Sequence, residues 1–177
     1  MKELIRGLSH GDLYQQTNEM VDKVLDLITG SDDYGVTFVP KDPDAFDDAA
    51  VSETEIAMPW TLGHVIVHTT ASAEESAALA AELSRGVPFR GGRSHSEVHW
   101  TTITTLDQCV HRLEESRRMR LASLDMWPDK PDLINSLVNH RSEEINAIGQ
   151  FMSGLTHEFS HLDQIGDIIA QAHDSHL

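Results

Sequence analysis

Three pairs of histidines stand four residues apart in this chain: His64 with His68, His95 with His99, and His157 with His161. Eleven histidines among 177 residues would give about 0.7 such pairs by chance, so the excess asks for a physical reason. On an α-helix, positions i and i+4 project from one face one turn apart, and two imidazoles so placed can share one divalent ion. The last pair, in His157-Glu158-Phe159-Ser160-His161, also fits the HExxH spacing of zinc proteases, where the glutamate is the general base. A protease site of that kind needs a further ligand downstream. Only 16 residues follow His161, none of them Glu, and Asp167 stands where a third histidine would fall. The remaining ligand is therefore expected upstream, where His64 and His68 lie on another helix, so that two helices clamp one ion. At about 100° per residue, Glu158 points about 60° to 100° away from His157 and His161, which places it poorly as a base, although it is the nearest candidate in sequence.

The elements that must position these residues read as helices. Ser9 and Asp12 form a capping-box start, and Leu13, Met20, Val21, Val24, Leu25 and Ile28 recur at helical spacing, giving a first helix over about 10–29. From Ser31 to Glu55 the chain holds six Asp, two Glu and one Lys, with Pro40 and Pro43, which reads as an irregular acidic connection. Pro59 opens a second, Ala-rich helix that ends near Arg85-Gly86. The loop Val87 to Ser94 carries Arg85, Arg90 and Arg93 in or beside it, and Arg90 or Arg93 could receive a substrate carboxylate. A third helix is expected from about Ser96 to Met126, stopped by Trp127-Pro128, with Arg112, Arg117, Arg118 and Arg120 on its solvated face and Cys109 in its core face. His95 and His99 fall at its loop end as pocket-lining or surface groups. Pro131 to Asn139 reads as a short helix, and Ile145, Ile148, Met152, Leu155, Phe159, Leu162 and Ile169 as one long fourth helix. The expected architecture is all-α: a four-helix bundle whose long connection permits a crossover topology, one domain over 1–177, and an irregular acidic loop at about 31–57.

Composition narrows the function classes. With 13 Lys plus Arg against 29 Asp plus Glu, the formal net charge is −16, a field that repels phosphate backbones and anionic lipid, so neither a nucleic-acid nor a membrane partner is expected. Cys109 alone rules out an intrachain disulfide and fits a reducing compartment; with no apolar leader at the start, a cytoplasmic location is expected. No GxSxG, P-loop or GxGxxG motif occurs, which leaves no sequence sign of a serine hydrolase or a nucleotide cradle.

Met58-Pro59-Trp60, followed by Thr61-Leu62-Gly63-His64-Val65-Ile66-Val67-His68, resembles the second-helix signature of the DinB-like (YfiT-like) metalloenzyme superfamily, with a tryptophan eight residues before a metal-binding histidine. The run from Leu155 to Ile165 resembles that family's last-helix pattern, two histidines four apart followed by Gln-Ile, here Gln164-Ile165. The resemblance implies a three-histidine metal site of His68, His157 and His161. His64 is then a supporting residue or a rival ligand. It implies a four-helix bundle with a long crossover, members that commonly dimerise, and thiol-dependent transfer or isomerisation with low-molecular-weight bacterial thiols, or hydrolysis.

The leading expectation is thus a metal-dependent enzyme acting on a small molecule, with three neutral imidazoles holding Zn²⁺ or Ni²⁺ and a position left for water, a thiol or a substrate oxygen. A second reading is a non-catalytic stress-related or ligand-binding bundle, whose structural metal is closed by His64 as fourth ligand. A third is a small HExxH zinc protease with Glu158 as its base.

Overall fold

Ser9 starts the first helix as the sequence suggests: its hydroxyl accepts from the Asp12 amide at 3.2 Å, and Asp12 Oδ2 accepts from the Ser9 amide at 2.7 Å. This capping box opens α1, His10–Ile28, which buries Leu13, Thr17, Val21, Val24 and Ile28 along one stripe. The computed structural model describes residues 7–46, 53, 55–89, 98–139 and 142–176. Arg90, Arg93, His95 and part of the acidic segment lie outside the described residues.

The described part of the acidic connection is not wholly irregular. Asp32 accepts from the Gly35 amide at 2.9 Å and caps a short helix, α2, Asp33–Thr37, whose Val36 is fully buried. Asp33 Oδ1 also accepts from the Leu106 amide at 2.8 Å, tying this segment to a helix start far along the chain. Two carboxylates that a charge count assigns to solvent therefore serve as backbone acceptors.

Thr61, not Pro59, begins α3, Leu62–Ser84, by accepting from the His64 amide at 3.2 Å. Fourteen of its residues are buried, among them Ala73, Ala77, Ala80 and Ala81. These small side chains let α3 run between its neighbours, and it packs on α4, Leu106–Asp125, and on α5, Ala147–Ser160. The third helix starts ten residues later than the pattern suggests. Thr105 and Gln108 form its capping box, and the threonine-rich stretch before it holds only the 3₁₀ turn Trp100–Thr102, as β-branched residues disfavour a longer helix.

Two further expectations fail. The segment read as a short helix over 131–139 instead ends in β1, Ser136–Val138, which pairs antiparallel with β2, Glu144–Asn146, Leu137 opposite Ile145. The long fourth helix is broken at His161 into α5 and α6, Leu162–His176. The Ser160 hydroxyl donates to the His157 carbonyl at 2.6 Å, occupying the acceptor that the His161 amide would use in a continuous helix. That amide turns to the Glu158 carbonyl at 3.1 Å, and the helix restarts with the Ile165 amide on the His161 carbonyl at 3.0 Å.

The described residues are mostly helical, with this hairpin their one sheet. The main core gathers Val21, Val24, Leu62, Ile66, Cys109, Leu113 and Ile165 from four helices. None of the described helices is long and apolar enough to cross a membrane. Burial, with Asp33 nearby, pushes the Cys109 thiol up to about 12. In the folded chain it stays protonated where an unfolded thiol, near 9.0, would ionise, so its contribution to stability falls away as pH rises above about 9. At pH 8 a thiol-specific chromogenic disulfide is expected to find no reactive cysteine in the native protein and one after unfolding; full reaction of the native protein would contradict this burial.

Candidate metal centre

The two helices in closest partnership, α3 and α5, carry the histidines. Gly154 makes their approach possible: a Cβ there would lie 2.8 Å from Ser76 Cβ and 3.0 Å from Ala73 Cα. His157 follows one turn later on α5, opposite the turn of α3 that carries His68. His161, one turn after His157 at the helix break, sets the third imidazole beside them.

The result is a convergence of ring nitrogens from positions 89 residues apart: His68 Nε2 lies 3.1 Å from His157 Nε2. His161 Nε2 lies 3.3 Å from the same atom. Zn–N bonds of about 2.0–2.1 Å in a tetrahedron place neighbouring ligand atoms about 3.4 Å apart, so these spacings suit one shared ion. All three ligand atoms lie within 4.8 Å of one another, and all three rings are half-buried. His161 Nδ1 sits 2.7 Å from Gln164 Oε1. With Gln164 Oε1 as the acceptor, Nδ1 is the donor and the Nε2 lone pair faces the cluster, the tautomer that binds a metal through Nε2. Lone pairs converging at this range repel one another unless a cation or protons lie between them.

Aromatic rings hold the imidazoles from one side. Trp60 lies 4.5 Å from His68, 4.6 Å from His64 and 5.9 Å from His161, centroid to centroid. Trp100 stacks on His64 at 4.7 Å with only 3° between the planes. His64 is thus sandwiched between two indoles at 9% exposure, and it is not among the converging ligands. Gly63 admits this arrangement, because a Cβ there would come within 2.6 Å of the Ile103 carbonyl oxygen, closing off the turn that carries Trp100.

Glu158 does not join the histidines. It is 1% exposed, and its Oε2 accepts from Arg120 Nη1 at 2.6 Å inside the protein. The carboxylate expected as a base is thus closed in the core by an arginine and is not among the groups that converge at the cluster. Arg120 likewise corrects the reading of a fully solvated α4 face: it is 1% exposed, and Arg112 is mostly covered, while Arg118 remains outside with Glu115. His99 is exposed, contacts Thr101 through Nδ1 at 2.8 Å, and stays apart from the cluster. Among the described residues no fourth His, Cys, Asp or Glu joins the three.

The sequence offers Gln164 only as part of a family pattern and gives Trp100 no role. Gln164 sits three residues after a candidate ligand, the spacing at which a helical side chain can reach back, and that was its available signal. At Gly154, alanine would gain about 1 kcal/mol of helix propensity and blur the outcome, so valine is the cleaner probe. Gly154→Val is expected to cost about 2–3 kcal/mol by forcing α5 off α3 and to weaken metal binding with it. Thermal melts with and without Zn²⁺ read both effects, and an unchanged melt would mean the close approach is dispensable.

No family model, curated protein or solved structure matches the chain.

Proposed function

We propose that the protein is a metal-dependent enzyme of the DinB-like superfamily, a four-helix bundle with a long crossover, acting on a small molecule by transfer or hydrolysis. The ion is Zn²⁺ or Ni²⁺, and in the transfer reaction a low-molecular-weight thiol is the cosubstrate. One observation carries this reading: three imidazole nitrogens from two helices and a helix break meet at 3.1 and 3.3 Å spacings, with no described fourth ligand to close the site.

A divalent ion in this position supplies Lewis acidity and lowers the pKa of a thiol or water that reaches it. The chain's own residues do the rest. His68, His157 and His161 hold the ion through Nε2, and Gln164 keeps His161 in the metal-binding tautomer. Trp60 packs against His68 and His161 together and limits the rotation of both rings. The sandwiching of His64 by Trp60 and Trp100 keeps it from filling a fourth position, which favours a catalytic over a closed structural site. Burial of Glu158 against Arg120 counts equally against the protease reading.

Elemental analysis of the purified protein, followed by Co²⁺ substitution, tests this proposal. The expected result is one metal per chain, with Co²⁺ absorption bands that shift when small thiols are added, and turnover of an electrophile or ester in a cosubstrate screen. A preparation that neither retains nor takes up metal would overturn it, as would Co²⁺ bands indifferent to every added ligand.

A further inference from the structure

Helix α4 carries no candidate metal ligand, yet its arginines reach into the helices that do. Arg112 pairs with Glu74 of α3, and its Nε donates to Thr70 Oγ1 at 3.1 Å, two residues beyond His68. Eight residues later, about 12 Å along the helix, Arg120 Nη1 donates to Glu158 of α5 at 2.6 Å, and Glu158 lies between His157 and His161 in the sequence. Between them, Arg117 reaches α1, where it donates to Asp22 Oδ1 at 2.7 Å. Each arginine therefore grips a different helix, and two of the three grips fall within six residues of a candidate ligand.

Stability alone gives little reason for the inner pair. Both side chains are 1% exposed, and taking two charged groups out of water commonly costs as much as their attraction returns. Arg120 Nη2, Glu158 Oε1 and Ser116 Oγ, all buried, also have no hydrogen-bond partner among the described residues. An apolar pair would fill this space at no such cost. What an apolar pair would lack is direction. Packing tolerates rotation and sliding of a helix, whereas a charge-assisted hydrogen bond at fixed length sets both. The need is greatest at the last turn of α5, where the helix breaks at His161 and His157 stands one turn before it.

We propose that Arg112 and Arg120 are positioning residues of the metal centre, a pair of ionic struts from α4 that set α3 and α5 at the separation and rotation in which the three imidazoles converge. This rests on the three-histidine reading above. Arg117, a strut to a helix without ligands, is the natural control.

The test compares the full-length Arg112→Met, Arg120→Met/Glu158→Leu and Arg117→Met variants with the wild type. Far-UV circular dichroism establishes the fold, and chelator competition and the visible spectrum of Co²⁺ read the site at a temperature where each variant is folded. Arg112→Met and the double variant are expected to bind Co²⁺ about ten- to a hundredfold more weakly, the scale of lost ligand support, and to show altered visible bands, while Arg117→Met matches the wild type. A merely structural role would lower the melting temperature without changing the bands of the folded protein. Should the double variant fail to fold, Arg112→Met decides, since its pair is partly exposed at 12% and 16%. Wild-type affinity and spectrum in the folded strut variants would overturn the proposal while leaving the metal centre standing. A wild type that takes up no Co²⁺ would overturn both.

Discussion

Replacing His157 by alanine is expected to abolish tight metal binding. His157 is the hub of the cluster, because its Nε2 makes both of the close approaches, to His68 at 3.1 Å and to His161 at 3.3 Å. Structural zinc sites with four ligands bind with about 10–16 kcal/mol, or about 2.5–4 kcal/mol per ligand. On that scale the loss of one imidazole raises Kd by two to three orders of magnitude, at about 1.4 kcal/mol per tenfold. The His68→Ala and His161→Ala variants should fall in the same range. Gln164→Ala removes only the acceptor that orients His161, so it should lose about ten- to a hundredfold. His64→Ala should retain most of the affinity, because that ring lies in the indole stack. Competition against a chromophoric chelator measures the whole series. Equal affinity in wild type and His157→Ala would remove the basis of the site, and a large loss in His64→Ala would make that residue a ligand after all.

The histidines were legible because a helix turns an interval of four into a shared face, and the periodicity that defines α3 and α5 is strong. What the interval could not decide was which member of the first pair faces the cluster. His64 and His68 are equivalent on spacing, and the choice is made by Trp60 and Trp100, one of them brought in by a turn that packs on Gly63. The break after Ser160 was hidden for a similar reason. A serine hydroxyl can either face solvent or take a backbone carbonyl, and only the local geometry shows that it takes the one belonging to His157. Strands of three residues, such as β1 and β2, are too short to show an alternating pattern.

The HExxH spacing misled in an instructive way. The interval between the histidines points Glu158 toward their chemistry, although its helical neighbours Phe151, Gly154, Leu155 and Leu162 are all buried. Arg120 sits similarly among Leu113, Ser116 and Leu124 on α4. Opposite charges, each alone on an apolar stripe, signal an internal pair, because neither can be desolvated without the other. That signal was present in the sequence. Helical (i, i+3) partners on the same element, such as Arg118 with Glu115, made the whole arginine set look solvated.

The burial of that internal pair supplies the second large effect, because removing one partner strands the other. Glu158→Ala leaves the Arg120 guanidinium buried with no carboxylate, and Arg120→Ala does the reverse to Glu158; either is expected to cost about 3–5 kcal/mol. At about 2–4 °C per kcal/mol for a domain of this size, the melting temperature should fall by on the order of 10 °C. The paired replacement Arg120→Met/Glu158→Leu should restore most of that loss, because it removes both charges and fills their volume. This difference separates two kinds of dependence on Glu158. A catalytic base would show full stability and lost turnover in Glu158→Gln, whereas an internal partner shows instability in Glu158→Ala that removal of Arg120 relieves. Urea or thermal unfolding of the metal-free single and double variants measures the cycle directly. If the single variants melt with the wild type, Glu158 is not holding Arg120 in the core, and its place beside His157 in the sequence would again have to be explained by chemistry at the metal.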